Sequence, residues 1–162
     1  MGGPASLVTV RTQRTLPGSA HSVWPLLCGS KMDRTSSILF RLGVPQPIEC
    51  RLPDGEGGVG RERECVSDQG VVHQRILVWV PEERLAFRME RSEIGAAKSV
   101  TGIEDSFELR PTGTGVAVIR TTKATLTGRF QWVKRLALHL ALRKVHRYVF
   151  QNWARLASGS SP

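Results

Sequence analysis

The sequence predicts an α+β domain in which a curved antiparallel sheet wraps around one long C-terminal helix. From residue 7 to residue 126, short segments alternate apolar and polar residues as half-buried strands do, and turn-forming residues separate them. A helical pattern of apolar residues then runs from Arg129 to Leu156. A sheet that curls around such a helix can leave an unfilled space, so we expect an internal cavity as the functional site.

The first third of the chain combines one strand, one short helix and an irregular stretch. Leu7 to Thr15 alternates as a strand, and a Pro-Gly pair then turns the chain. Ser19 is placed to cap a short helical segment that reaches Cys28. Residues 29–46 have no clear period. The expected apolar anchors of that stretch are Met32, Ile38, Leu39 and Phe40.

The middle of the chain is predicted to be a meander of six further strands. We place these strands at residues 48–52, 59–66, 70–80, 84–90, 103–110 and 115–126. Their short turns imply antiparallel neighbours. The Gly-rich loop at residues 53–58 lacks the Lys-Ser/Thr ending and the following helix of a phosphate-binding loop, so we interpret it as a turn.

The long helix is predicted to have a buried apolar stripe and a basic outer face. The stripe follows spacings of three and four and contains Phe130, Val133, Ala137, Ala141, Leu142, Val145, Val149, Trp153 and Leu156. The basic residues that fall mostly off this stripe are Lys134, Arg135, Arg143, Lys144 and Arg147.

Length and composition favour a single domain over residues 7–157, with flexible tails at residues 1–6 and 158–162. The chain has 162 residues and is 40% hydrophobic, which suffices for a core. No apolar stretch approaches the roughly 18–20 residues of a membrane span, and a signal-peptide pattern is absent, so we expect a cytoplasmic protein. The net charge of +9 favours anionic partners.

The cysteines and histidines suggest neither a metal site nor a cofactor. Cys28, Cys50 and Cys65 have no C-x-x-C spacing and are interpreted as free thiols, although the last two could lie on neighbouring strands. His139 and His146 are seven residues apart on the helix, which is too far for shared ligation of one ion. We therefore expect no cofactor and no metal.

Five stretches together resemble one known superfamily. They are PGSAHSVWPLL, GVGRERE, HQRILVWVPEERLAFRM, SFELRPTGTGVAV and the terminal helix. In this combination the chain resembles the SRPBCC or START-like superfamily, especially its polyketide cyclase/dehydrase-like members. The resemblance implies a helix-grip fold with a deep cavity for a lipid, sterol, polyketide or hormone-like ligand. Many members carry Glu where Gln74 stands and Tyr where Phe87 stands, so the resemblance assigns no catalytic residue here.

Strand alternation predicts the side chains that face the helix and would contact a ligand. The ligand-binding candidates on the strands are Ile76, Val78, Phe87, Met89, Phe107 and Val118. His146 and Tyr148 on the helix are expected at the edge of the cavity, with packing at its closed end as the alternative role.

The same parity turns two charged residues inward, Asp105 and Arg120, on consecutive strands. Charges inside an apolar cavity are costly unless they are paired or used, so we take these two as the catalytic candidates. Arg120 would hold a ligand carboxylate or enolate oxygen, and Asp105 would orient it or act as a base. The alternatives are a structural ion pair, or a register shift of one residue that exposes both.

Two further groups of polar residues are predicted to lie on the protein surface. Arg61 and Arg63 share one face of their strand while Glu62 and Glu64 share the other, which suggests exposed cross-strand charge pairs. His73 has the wrong parity for the inner row and is expected to be solvated.

These observations lead to two hypotheses of function. The first is binding of a hydrophobic or amphipathic small molecule, lipid-like or polyketide-like and with or without a carboxylate, either with cyclase/dehydratase activity or as a non-catalytic carrier. The second is attachment to an anionic membrane surface through the basic face of the helix. Nucleic acid is not favoured, because the chain has no recognised motif and its aromatic residues are assigned to packing. The oligomeric state is left open.

Overall fold

A computed structural model of the chain describes residues 5–32, 38–53, 55–94 and 100–159. It confirms the predicted α+β fold, a curled antiparallel sheet that holds a long C-terminal helix. The elements are β1 (Ser6–Leu16), α1 (Ala20–Cys28), β2 (Ser30–Lys31), α2 (Ile38–Arg41), β3 (Pro47–Arg51), β4 (Glu62–Ser67), β5 (Gly70–Val80), β6 (Arg84–Ser92), β7 (Val100–Thr112), β8 (Gly115–Leu126) and α3 (Gln131–Gly159).

The eight strands form one sheet in the order β1-β8-β7-β6-β5-β4-β3-β2. Strands β2 to β8 are therefore a meander in which each strand pairs with the next, as the short turns predict, and β1 joins the end of the sheet beside β8. Every pairing is antiparallel. Irregularities in the β5–β6 register add twist, which helps the sheet to curl into a half-barrel.

Helix α1 fills one end of the concave face. Its predicted cap is present, since the Ser22 amide donates to Ser19 Oγ at 3.2 Å and the Ser19 amide donates to Ser22 Oγ at 2.9 Å. Val23 and Leu27 of this helix are fully buried, and the helix contacts both β7 and α3. One end of the half-barrel is thereby closed by core packing.

The C-terminal half of α3 is the part that seats the helix on the sheet. Val149, Phe150 and Trp153 are buried there. The Trp153 ring lies 5.5 Å from that of Phe107 on β7, and its Nε1 donates to Ser30 Oγ on β2 at 2.9 Å. These contacts fix the helix against opposite parts of the sheet. No helix among the described residues is long and apolar enough to cross a membrane.

The N-terminal half of α3 departs from the predicted buried stripe. Val149 and Trp153 are buried as predicted, and Leu142 is half-buried. Phe130 and Val133, in contrast, are exposed, as is Ala137, so the prediction is wrong for these three. The reason is that Leu138 and Leu142 are the residues of this half that pack toward Val8, Val10 and Leu126, whereas Phe130 and Val133 face solvent.

Several element boundaries also differ from the prediction. β4 begins at Glu62 and not at Val59, because a turn closed by the Arg61 amide and the Gly58 carbonyl (3.1 Å) leaves Val59 exposed. The stretch without a clear period contains β2 and α2. Met32 and Phe40 are buried anchors as predicted, while the side chains of 38 and 39 lie outside the described residues.

The ends of the domain extend slightly beyond residues 7–157. Ser6 already belongs to β1, and Ser158 and Gly159 still belong to α3. The rest of the two predicted tails, residues 1–4 and 160–162, lies outside the described residues, while Ala5 directly precedes β1.

The prediction of three free thiols is wrong for two cysteines. Cys50 on β3 lies directly opposite Cys65 on β4, with a Cα–Cα distance of 4.2 Å, and the two are joined in a disulfide. Such a distance is typical of a pair that shares no backbone hydrogen bonds. Cys28 is free among the described residues, and burial raises the pKa of its thiol to about 11 although Arg63 opposes the shift.

The seat of α3 can be tested with its two tryptophans. Trp153→Ala removes a side chain that is 1% exposed, and we expect the free energy of unfolding to fall by about 3–5 kcal/mol. Trp132→Ala on the same helix removes one that is 75% exposed and should change it by less than about 0.5 kcal/mol. Urea denaturation followed by circular dichroism measures both. Equal losses would show that α3 is not held by its C-terminal half.

Candidate functional site

A cavity of about 530 Å³ lies between the concave face of the sheet and α3. This volume is within the range of small-molecule sites in proteins. Strands β3 to β8 and the helix all contribute to its wall, which is mostly apolar. Its apolar members include Val72, Phe87, Met89, Ile94, Ile103, Phe107, Leu138, Leu142, Val149 and Trp153.

The cavity reaches solvent beside the first half of α3. Its wall includes Leu42, which is 75% exposed, together with Val44 and Pro45 of the same connection. On the helix side, Lys134 and Ala137 belong to the wall and are themselves partly or fully exposed. A ligand would therefore enter between this connection and α3.

Three of the predicted apolar ligand contacts lie on the cavity wall, namely Phe87, Met89 and Phe107. Ile76 and Val118 point to the concave side as their parity predicts, but they are packed into the core and lie outside the wall. The reason is that α1 fills that end of the half-barrel. Val78, beyond the register shift between β5 and β6, is half-buried and also outside the wall.

Neither of the predicted residues on the helix lines the cavity. Tyr148 is buried against Phe40 at 5.2 Å between ring centroids, and its hydroxyl accepts a hydrogen bond from Gln46 Nε2 at 3.3 Å. His146 is fully buried between α3 and the sheet. Both residues therefore have the alternative role that the sequence left open, packing beside the cavity.

The two catalytic candidates are on the cavity wall and form a bidentate ion pair. Arg120 donates from Nε to Asp105 Oδ1 and from Nη2 to Asp105 Oδ2, each at 3.1 Å. Burial raises the pKa of Asp105, but the charge and hydrogen bonds of Arg120, with a further hydrogen bond from Thr122, outweigh it and lower that pKa below its ordinary value. Asp105 is therefore a carboxylate at neutral pH.

His146 extends this pair into a buried hydrogen-bonded chain. Its Nε2 lies 2.6 Å from Thr122 Oγ1, which in turn bonds Asp105 Oδ1, and its Nδ1 lies 2.7 Å from Thr12 Oγ1. A carboxylate can only accept, so Thr122 donates to Asp105 and must accept from a protonated Nε2. Nδ1 then accepts from the Thr12 hydroxyl.

The charge state of His146 fits this assignment. Burial and the nearby Arg120 lower the pKa of its imidazole to about 3, while Asp105 opposes the shift. The neutral ring therefore joins β1, α3, β8 and β7 by one consistent sequence of donors and acceptors. Its role is to hold Asp105, and through Asp105 to hold Arg120.

A second guanidinium, that of Arg63, lies on the wall although the sequence placed it at the surface. The residue is 2% exposed, so the interpretation as an exposed charge pair is wrong. Arg63 pairs across β4–β5 with Gln74 on the concave face. Alternation could have found this position, because Arg63 has the same parity as the half-buried Cys65, but both faces of this strand carry charges and the pattern was ambiguous.

The glutamates beside Arg63 face the other side of the sheet, as predicted. His73 Nδ1 lies 2.8 Å from Glu62 Oε1 and 3.5 Å from Glu64 Oε1. The side chain of His73 is 13% exposed, so it is less solvated than expected. Glu64 also accepts from Arg51 Nε at 2.8 Å. His73 therefore contacts both glutamates on the outer face of the sheet, and all three residues lie off the cavity wall.

A family model described as polyketide cyclase/dehydrase and lipid transport matches residues 8–158. This match covers nearly the whole chain, including every element that contributes to the cavity. No curated protein sequence matches the chain significantly.

Solved structures with the same fold include three from different sources. A Staphylococcus aureus protein of unknown function has a TM-score of 0.68 at 14% identity, covering 96% of both chains. A Thermus thermophilus protein has a TM-score of 0.67 at 14% identity, covering 95% of this chain and 99% of that one. Norcoclaurine synthase from Thalictrum flavum, solved with dopamine and hydroxybenzaldehyde, has a TM-score of 0.61 at 15% identity, covering 98% and 90%. At these identities the likeness shows the fold alone.

The buried neutral His146 predicts a pH dependence of stability. Its pKa is about 3 in the folded protein against an ordinary value near 6.5, so below pH 6.5 the unfolded chain binds a proton that the folded chain does not. Between pH 6.5 and pH 5 this should lower the free energy of unfolding by about 2 kcal/mol, at roughly 1.4 kcal/mol per pH unit.

His146→Gln should remove that part of the slope, as measured by urea denaturation at pH 7 and pH 5. Asp105 does not interfere in this window, because its lowered pKa confines its own contribution to more acidic pH. A variant with the same slope as the wild type would contradict the buried neutral imidazole.

Proposed function

This chain belongs to the polyketide cyclase/dehydrase and lipid transport family, and we propose that it binds one hydrophobic or amphipathic small molecule in the cavity between its sheet and α3. The observation that carries the proposal is the cavity of about 530 Å³, apolar over most of its wall and interrupted by a few buried polar groups. An apolar wall supplies affinity, and a small number of fixed polar groups supplies orientation.

The polar part of the wall suits a ligand with a carbonyl or carboxylate oxygen. Arg120 is held by the bidentate contact with Asp105, so its guanidinium is oriented before a ligand arrives. In a cyclisation or dehydration, Arg120 would stabilise an enolate oxygen while the wall folds the flexible ligand into reactive geometry. Asp105 has the role of orienting Arg120, because a carboxylate with a lowered pKa is a weak base. This proposed chemistry uses no cofactor.

The solved complex of norcoclaurine synthase supports this proposal, because that protein has the same fold. That protein was solved with dopamine and hydroxybenzaldehyde, two small aromatic molecules. The same architecture can therefore hold small organic ligands.

Filling the cavity tests the binding proposal. Ala141 lies on the wall, so Ala141→Trp should reduce the affinity for the neutral fluorescent probe N-phenyl-1-naphthylamine at least about tenfold, or ~1.4 kcal/mol. Leu140→Trp is the matched control, since Leu140 is exposed and outside the wall, and it should bind like the wild type within about twofold.

Fluorescence titration measures these affinities, and native mass spectrometry measures the stoichiometry, expected to be one probe per chain. Equal affinities of the wild type and the Ala141 variant would refute binding in the cavity.

A second candidate function, docking on an anionic membrane surface, is favoured by the exposed half of α3. We call its exposed apolar residues the α3 patch: Phe130, Trp132, Val133, Leu136 and Leu140. Helix α3 contains basic residues around this patch and no Asp or Glu. Apolar and aromatic side chains among basic residues are typical of helices that lie at a bilayer interface.

Phe130 supports this interpretation independently. It has a φ of 59°, a left-handed conformation that is unfavourable for a bulky residue, and its side chain is nevertheless exposed. Strain at an exposed aromatic residue has no explanation in the core, whereas presenting the ring to a partner would explain it.

Vesicle binding by two matched variants tests whether the α3 patch contacts a membrane. Leu136→Glu should abolish co-sedimentation with phosphatidylcholine vesicles that contain about 30% phosphatidylglycerol, because it places a charge in the patch. Leu7→Glu, at a residue on β1 with the same 58% exposure, should leave binding unchanged.

The wild type should bind vesicles of pure phosphatidylcholine less tightly than vesicles that contain phosphatidylglycerol. Its affinity for the latter should fall as the salt concentration is raised. Equal effects of the two substitutions would argue against the patch.

A further inference from the structure

We propose that Arg63 is the anion-binding group of the cavity, and that the ligand is an amphipathic monoanion whose carboxylate contacts this guanidinium. The inference rests on the proposed cavity function and names the class of its ligand. It differs from the prediction that Arg120 holds the ligand carboxylate.

The contacts of Arg63 are unusual for a buried cation. Nη1 donates to Gln74 Oε1 at 2.6 Å and contacts Cys65 Sγ at 2.9 Å, and Nη2 donates to the Leu27 carbonyl at 2.9 Å. All of these acceptors are neutral. Within the described part of the chain no carboxylate lies within ion-pairing distance of Arg63, and its buried Nε has no hydrogen-bond partner.

Burying the Arg63 guanidinium in this way is energetically unfavourable when the cavity holds no ligand. A buried charge without an opposite charge loses its hydration and gains only hydrogen bonds to neutral groups. The effect is visible in the pKa of Arg63, which burial lowers to about 10 although the charge of Asp105 opposes the shift, so the group is still charged at neutral pH. An anion in the cavity would supply the missing opposite charge.

Counting the buried charges of the wall gives the charge of the ligand. Arg63 and Arg120 are two cations, and Asp105 is one anion. His146 is neutral and lies behind Asp105. Lys134 is at the solvent-exposed side of the wall, where water screens it. The buried wall therefore carries one excess positive charge, which a monoanion balances.

Arg63 is better placed than Arg120 to take that anion. Two nitrogens of Arg120 are already occupied by both oxygens of Asp105. Arg63 instead donates only to neutral acceptors, and its guanidinium lies over the ring of Phe87 at 4.3 Å from the centroid. Stacking on the ring and the bonds to Gln74 and Leu27 hold the guanidinium in one orientation, so little side-chain freedom remains to be lost on binding.

Displacement of the neutral probe by a matched anion and alcohol tests the inference. At about pH 7.5, decanoate should displace N-phenyl-1-naphthylamine from the wild type at a concentration at least about tenfold lower than decanol does, because a hydrogen-bonded ion pair forms only with the carboxylate. Arg63→Met should reduce this ratio to about one while decanol binding changes little. Arg61→Met, two residues away on an exposed side chain, is the control and should keep the wild-type ratio.

The outcomes separate this inference from the proposed function. If the probe and decanol bind but decanoate has no advantage, or keeps it in Arg63→Met, the anion site is wrong while the cavity function stands. If neither the probe nor decanol nor decanoate binds, the cavity function fails and the inference fails with it.

A measurement on the wild type covers the case in which Arg63→Met does not fold. The carboxyl carbon of ¹³C-labelled decanoate, titrated by NMR, should show a lower pKa when bound than when free, because a neighbouring cation favours the charged form. A raised pKa would mean burial without a cation and would overturn the inference.

Discussion

The cavity depends on one constraint, the seating of the C-terminal half of α3 on the concave face of the sheet. Trp153, Val149 and Phe150 fix that half by burial, and the helix continues without interruption for 29 residues. Because an α-helix is stiff, its first half cannot settle on the sheet independently of the second. Helix α1 fills the far end of the half-barrel, and the near end stays open beneath the first half of α3.

The packing of this half of α3 on the sheet also positions the buried polar residues beside the cavity, which form one chain of hydrogen bonds. His146 comes with the seated half of α3 and bonds both Thr12 and Thr122. Thr122 then holds Asp105, which is the partner of Arg120. Each residue of this sequence forms a hydrogen bond with the next, and both oxygens of the Asp105 carboxylate are hydrogen-bonded as a result. Arg63 lies outside this sequence, and among the described residues it is the buried cation whose hydrogen bonds go only to neutral acceptors.

The sequence predicted the architecture better than the site, and particular residues show why. Strand alternation placed Phe87, Phe107, Asp105 and Arg120 on the concave face, because β7 has only one apolar face and the larger apolar residues of β6 share one parity. Alternation does not show which part of that face α1 covers, so it predicts Ile76 and Val118 as ligand contacts although they lie in the core and off the cavity wall.

Helical periodicity failed in a similar way at Phe130 and Val133, since apolar side chains have the same spacing whether they face a core or an exposed surface. The disulfide between Cys50 and Cys65 needed the register of β3 on β4, which no local pattern contains. Arg63 was missed because charges occupy both faces of β4, so hydropathy could not choose between them.

The two proposed functions share one segment of the molecule, which gives them a physical connection. Lys134 and Ala137 belong to the cavity wall, while Trp132 and Leu136 on the same turns belong to the exposed α3 patch. A bilayer that covers the patch would therefore also cover the side from which the cavity reaches solvent. An amphipathic ligand that passed from such a bilayer to the cavity would keep its apolar part out of water. Passage through water would instead cost about 25 cal/mol for each Å² of apolar surface that becomes hydrated. Its charged end would move from the anionic bilayer surface toward the excess positive charge at Arg63, so the field of the protein would favour the bound state of an anion over that of a neutral lipid.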